Sequence, residues 1–214
     1  SRSNKGNTMR KIILSCGSNK GGEFDAWLSS RIYDPEVLIY AFEPEPRCFP
    51  FIEEKQKLMP NITHIKSAIS TIDGVEQWNV GNLTVSGTLR QDKNWGLTGE
   101  KVMIQTLNFS RWLKENIKED DYVFCTLDIE GSEYDVIKDL FATGAIDLIN
   151  KFYVEFHDVK LHTNMQDEEK KLKNMITEKF GMNCFFRFVE GNFRMFKQAH
   201  PDLDENMYNN IGPL

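Results

Sequence analysis

Two short segments concentrate side chains that can do chemistry. T-L-D-I-E-G-S-E carries Asp128, Glu130 and Glu133, and Y-V-E-F-H-D carries Glu155 and His157. Carboxylates beside an imidazole can orient a hydroxyl, take its proton, or surround a cation. Alternation along an extended chain puts Asp128 and Glu130 on one side, and likewise Glu155 and His157. Glu133 stands where a helix begins, and its expected role is only to favour that N-terminus electrostatically. Asp128, Glu130, Glu155 and His157 are therefore the candidate catalytic residues, with His157 as general base. No metal ligands are assigned, because spacing alone carries no coordination geometry.

A third segment, S-C-G-S-N-K-G-G, crowds Gly17, Gly21 and Gly22 between an apolar run and a helix-compatible one. Glycine there permits a tight turn or close backbone approach to a ligand. A phosphate-binding loop requires Gly-Lys-Ser/Thr, which the chain lacks. A dinucleotide fingerprint requires G-x-G-x-x-G, and Gly17-Ser-Asn-Lys-Gly21-Gly22 fails that spacing. The remaining G-x-N-x-G pattern resembles the first motif of S-adenosylmethionine-dependent methyltransferases, whose cofactor carries no phosphate. A fourth segment, A-F-E-P-E-P, places Glu43 after the second apolar run. An acid there can accept both hydroxyls of a ribose, roughly 20–30 residues beyond the loop. A ligand-free turn and an exposed acid beside prolines are the plainer alternatives.

Elements that would position these segments alternate along the chain. Lys11–Cys16, Val37–Phe42, Ile62–Lys66, Tyr122–Ile129 and Lys151–Phe156 read as strands, the second and fourth as continuous apolar runs suited to burial on both faces. Helical runs follow at Glu23–Ser30, from Pro46 to about Leu58, and at Phe109–Ile117, Glu133–Phe141 and Met165–Lys179. Asn183–Val189 and Asn192–Lys197 flank Glu190-Gly191 as a β-hairpin, and the alternating, glycine-containing stretch from Gly74 to Met103 reads as hairpins too. Repeated βα units imply an α/β fold: a mostly parallel sheet with helices on both faces and a terminal antiparallel hairpin. Ligands in such sheets bind beyond the carboxyl ends of the strands, where strand order reverses. Each chemistry-bearing segment lies at such an end.

Taken in order, G-x-N-x-G, F-E-P, D-I-E-G-x-E and E-F-H, from about Lys11 to Asp158, resemble the FkbM family of S-adenosylmethionine-dependent methyltransferases. The resemblance implies a Rossmann-like class I methyltransferase fold with seven strands, S-adenosylmethionine as cofactor, and methylation of a hydroxyl on a sugar or other small molecule. Carried onto this chain, it implies cofactor contacts from Cys16, Gly17, Ser18, Asn19, Gly21, Glu43, Pro44, Ser67, Ala68 and Asp128, and an acidic signature at Asp128, Glu130 and Gly131. Two positions depart from the pattern. Ser15 stands where an acid usually precedes the loop, and Thr126 where a lysine usually precedes the acidic segment, removing a cation from the site's edge. A cofactor-binding module without turnover and a nucleic-acid methyltransferase are the competing readings.

Composition narrows the partners. The 214 residues are 40% hydrophobic and 12% aromatic, enough for one sizeable core. A net charge of -6 disfavours a nucleic-acid surface, which needs lysine and arginine, and no apolar run approaches the length of a membrane span. Cys16, Cys48, Cys125 and Cys184 form no C-x-x-C pair, so reduced thiols and a cytoplasmic location are expected. Three Asn-x-Ser/Thr sequons, at Asn61, Asn82 and Asn108, are read as chance without a secretion signal. Residues 1–9 read as a polar leader, disordered or added, and 10–214 as one domain with residues 74–106 as a hairpin insertion beside the acceptor. Oligomeric state has no sequence signal.

Overall fold

Apolar runs bounded by glycine and proline become strands, and the charged amphipathic runs between them become helices that cover the sheet. The computed structural model describes residues 9–29, 34–93, 95–157 and 160–187. In chain order these form β1 (Lys11–Cys16), α1 (Gly22–Ser29), β2 (Leu38–Phe42), α2 (Phe49–Leu58), β3 (Ile62–Ile65), β4 (Ala68–Ser70), β5 (Gly74–Gly81), β6 (Leu97–Asn108), α3 (Phe109–Asn116), β7 (Tyr122–Leu127), α4 (Glu133–Thr143), β8 (Lys151–Glu155), α5 (Gln166–Phe180) and β9 (Cys184–Arg187).

The main sheet has the order β3-β2-β1-β7-β8-β9, and every one of its pairings is parallel. Alternation along β1 sends Ile12, Leu14 and Cys16 into one core cluster with residues of α3, α4 and α5. On the opposite face Ile39 and Ala41 of β2 pack with Phe24 of α1 and Ile52 of α2. The α/β sandwich with helices on both faces is thus present. The strand expected as the first arm of a terminal hairpin, β9, runs parallel to β8. The reason is that α5 intervenes, and a helical crossover returns the chain in the same direction. The turn at Glu190-Gly191 and the arm Asn192–Lys197 lie outside the described residues, so six parallel strands are observed where seven with an antiparallel member were expected.

A second, three-stranded sheet of order β4-β6-β5 stands beside the first. β5 and β6 pair antiparallel from Gly74↔Thr106 to Gly81↔Leu97, with a register shift after Asn79. β4, a short strand that sequence reading did not separate from its surroundings, pairs parallel with β6.

Strand register sets the geometry of the site. Cys16 is level with both Phe42 and Leu127, and Leu127 is level with Val154. The next residue on each strand is Gly17, Glu43, Asp128 and Glu155. Four residues scattered over the sequence therefore form one row across β2, β1, β7 and β8. Strand order reverses between β1 and β7, so the crevice opens in the middle of that row.

Candidate active site at the carboxyl edge of the sheet

The row forms the floor of a cavity of about 330 Å³, a volume within the range of small-ligand sites. One side of it is built from the loop after β1. Gly17 has φ +87°, and a Cβ there would lie 1.8 Å from the Asp128 carbonyl oxygen, so β1 and β7 can close at this level only around glycine. Asn19 takes φ 48°, a left-handed conformation that asparagine tolerates better than most residues. Its N–H donates to Glu43 Oε2 at 2.7 Å, and the Glu45 N–H donates to Glu43 Oε1 at 2.8 Å. Burial pushes the Glu43 carboxyl up to about 7, against the pull of those two N–H donors. Thr84, from the loop between β5 and β6, donates to Asn19 Oδ1 at 3.0 Å and ties that loop to the glycine turn.

The other side is acidic. Asp128 N–H donates to the Cys16 carbonyl at 3.0 Å, extending the sheet by one residue before the chain turns. Glu130 then adopts φ 54° and Gly131 φ 109°. This left-handed pair reverses the chain and aims Glu130 at two ammonium groups. Lys93, whose side chain is fully buried, reaches Glu130 Oε2, and Lys160 lies 3.1 Å from Oε1. Burial opposes ionisation of Glu130, but His157 and Lys93 outweigh it and hold its carboxyl down at about 2. The cation lost at Thr126 thus has counterparts from distant parts of the chain. Sequence reading missed both lysines, because nothing local marks a lysine that folds inward.

Glu133 corrects its sequence reading outright. It is fully buried. Its Oε2 accepts from Gly131 N–H at 2.9 Å, and its Oε1 accepts from His157 N–H at 2.8 Å and faces His157 Nδ1 at 3.0 Å. A carboxylate so placed holds the imidazole rather than merely favouring a helix end. The pattern of a glutamate two residues after the D-I-E-G turn was the available signal, and helix-terminus electrostatics masked it.

His157 is also fully buried, behind the acids rather than among the cavity-lining residues. Its Nε2 lies 3.2 Å from Glu130 Oε1, 3.4 Å from Asp128 Oδ1 and 3.7 Å from Glu155 Oε1. The four candidate catalytic residues do converge. Burial disfavours the imidazolium, yet Glu133 and Glu130 overcome it and raise His157 well above its ordinary value. A sealed, proton-retaining imidazole does not serve as a general base toward a molecule in the cavity, and that assignment is withdrawn.

Of the expected cofactor contacts, Gly17, Asn19, Glu43, Pro44, Ala68 and Asp128 line the cavity. Cys16, Ser18, Gly21 and Ser67 stand outside it. Cys16 points into the core, its sulfur 3.9 Å from that of Cys125. Ser18 donates to the Ser15 carbonyl at 2.9 Å and closes the turn. Gly21 owes its identity to packing: at φ +71°, a Cβ would meet the Phe24 ring at 2.7 Å. Ser15, where an acid is usual, donates to Glu23 of α1, whose carboxyl burial raises to about 7, so an acid does reach this corner from another element.

The far wall carries Trp78, Val85, Leu89 and Trp95, the last 53% exposed with Lys160 Nζ 5.4 Å from its ring centre. Among the described residues no helix is long and apolar enough to cross a membrane. In comparisons with known proteins, a family model described as methyltransferase FkbM domain matches residues 15–188. No curated protein matches the chain.

Proposed function

Because the chain belongs to the FkbM methyltransferase family, we propose that it moves the methyl group of S-adenosylmethionine to a hydroxyl of a sugar or another small molecule. The observation that carries this reading is the single row Gly17, Glu43, Asp128 and Glu155, which unites a nucleoside-type half and an acidic half in one cavity.

The residues present fit the cofactor. Each Glu43 oxygen accepts one backbone N–H, and a carboxylate oxygen can accept a second hydrogen bond, so two acceptor positions remain for ribose hydroxyls. Gly17 and Asn19 supply bare backbone beside it, and Ala68 and Ile69 supply apolar surface. S-adenosylmethionine, when bound, supplies a methyl group on a sulfonium whose departure as a neutral thioether needs no acid.

The remaining work falls to the chain. Trp78 and Trp95 offer flat apolar surface of the kind that stacks on a sugar face, and the carboxylates offer acceptors for its hydroxyls. Glu130 is engaged by Lys93 and Lys160. Burial raises the Asp128 carboxyl to about 8, so Asp128 orients the acceptor hydroxyl and Glu155, which also lines the cavity, takes its proton. Complete prior deprotonation is too costly. A hydroxyl near the acidity of water, with a pKa of about 15.7, lies about 11 units above a free glutamate, a gap of roughly 15 kcal/mol. The proton therefore leaves as the new C–O bond forms, and holding the reactants in line is the larger contribution, up to about 7–11 kcal/mol.

Calorimetric titration with S-adenosylmethionine, S-adenosylhomocysteine and NAD tests the reading. Binding of the first two without NAD is the expected result. NAD binding with no heat from either sulfur compound would overturn it.

A further inference from the structure

The acids that face His157 are arranged around a point. Oxygens of Glu130, Asp128 and Glu155 lie 3.2, 3.4 and 3.7 Å from its Nε2. Glu133 accepts on both oxygens, so the hydrogen between it and His157 belongs to Nδ1, and Nε2 faces the remaining acids. Nε2 is buried without a hydrogen-bond partner. A buried ring nitrogen among carboxylate oxygens calls for positive charge at that point, supplied by its own proton or by a cation bound in the proton's place.

We propose that Asp128, Glu130 and His157 form a divalent-cation site at the acidic end of the cavity; only the role of the ion, not its binding, rests on the methyltransferase reading. One ligand atom from each residue lies within 4.8 Å of the others. Ligand bonds of 2.0–2.2 Å put adjacent donor atoms about 3 Å apart, close to the 3.2 and 3.4 Å from Nε2 to Glu130 and Asp128. Glu133 supplies what metal-binding imidazoles commonly have, a carboxylate on the other ring nitrogen that fixes tautomer and orientation. An imidazole with two carboxylates suits a first-row ion such as Mn²⁺ or Zn²⁺ more than Ca²⁺. The Asp128 side chain is 38% exposed, so the site opens toward the cavity and leaves coordination positions for an acceptor oxygen. There the ion answers the acidity gap: a zinc ion brings the pKa of bound water from about 15.7 to about 7. Glu155, the cavity acid outside the ligand set, is then the group that receives the hydroxyl proton.

The test is titration of the full chain, stripped with chelator, with Mn²⁺, following free ion by electron paramagnetic resonance. One Mn²⁺ per chain is expected. Asp128→Asn weakens it at least tenfold, and Glu133→Gln, which removes no ligand, weakens it by about 10- to 100-fold through the imidazole. Should buried Glu133→Gln not fold, Asp128→Asn, altered at a side chain that reaches solvent, decides alone. No bound Mn²⁺, or equal affinity in Asp128→Asn, overturns the site. Calorimetry with S-adenosylhomocysteine on the same samples separates the two readings. Its binding without Mn²⁺ overturns the cation site, whereas Mn²⁺ bound without it upholds the site and overturns the cofactor.

Discussion

Glu43 shows how one side chain can report on its site through pH. Its carboxyl sits at about 7 because burial opposes the charge. Ribose hydroxyls donate to the ionised form, so binding below that value must first expel a proton. S-adenosylhomocysteine affinity is expected to fall by roughly tenfold per pH unit below 7 and to level off above it. Calorimetry from pH 5.5 to 8.5 reads this directly, and Glu43→Gln should flatten the profile while weakening binding by about 1.5–3 kcal/mol. A profile unchanged in the variant assigns the titration elsewhere, Glu23 at about 7 and the cavity-lining Asp128 at about 8 being the next groups in that window. Gly17 and Gly21 separate at the same scale. Gly17→Ala drives a Cβ into the Asp128 carbonyl, so it should both destabilise the fold and displace the acidic segment. Gly21→Ala, strained at φ +71° and meeting Phe24 and Lys55, should show its cost in stability rather than in ligand affinity. Urea unfolding paired with calorimetry distinguishes them.

At the scale of elements, the loop between β5 and β6 is fastened to the sheet at three points. Thr84 holds Asn19, Thr88 Oγ1 donates to the Glu130 carbonyl at 2.8 Å, and Lys93 reaches both the Ser86 carbonyl and Glu130. Arg47 adds a fourth from outside, donating to the Gly81 carbonyl at 2.9 Å while paired with Glu45. A wall fastened in this way keeps Trp78 and Trp95 over the row. Lys93→Met leaves Glu130 with Lys160, so the expected cost is that of hydrogen bonds to a charged group, about 1.5–3 kcal/mol. Glu130→Gln instead strands the fully buried Lys93 ammonium, and the expected cost rises to about 3–5 kcal/mol. Urea midpoints for the pair give the order, and the reverse order would mean that Lys93 is not held by Glu130.

For the whole molecule, scaffold and site should be separable by mutation. Leu14 lies at the centre of β1, fully buried in the larger core cluster and not among the residues lining the cavity. Leu14→Ala should lower stability by about 2–5 kcal/mol and leave S-adenosylhomocysteine affinity unchanged wherever the variant remains folded. Affinity falling in step with stability would tie the row to the core beneath it. The sequence by itself determined the parallel sheet, since runs such as Val37–Phe42 and Tyr122–Leu127 have too many consecutive apolar residues for any place but an interior buried on both faces. It also determined the acids at strand ends and the turn at G-x-N-x-G, because periodicity and backbone preference are local properties. Only the tertiary structure decided the rest. Gly17, Glu43, Asp128 and Glu155 share a row because of strand order and register, which depend on pairings between segments that can lie more than a hundred residues apart. β9 runs parallel for the same reason. Lys93 and Lys160 meet Glu130, and Glu133 turns inward to hold His157, through charge compensation inside a buried space. No local pattern encodes that compensation, because an acid or a lysine reads the same in sequence whether it faces water or another charge.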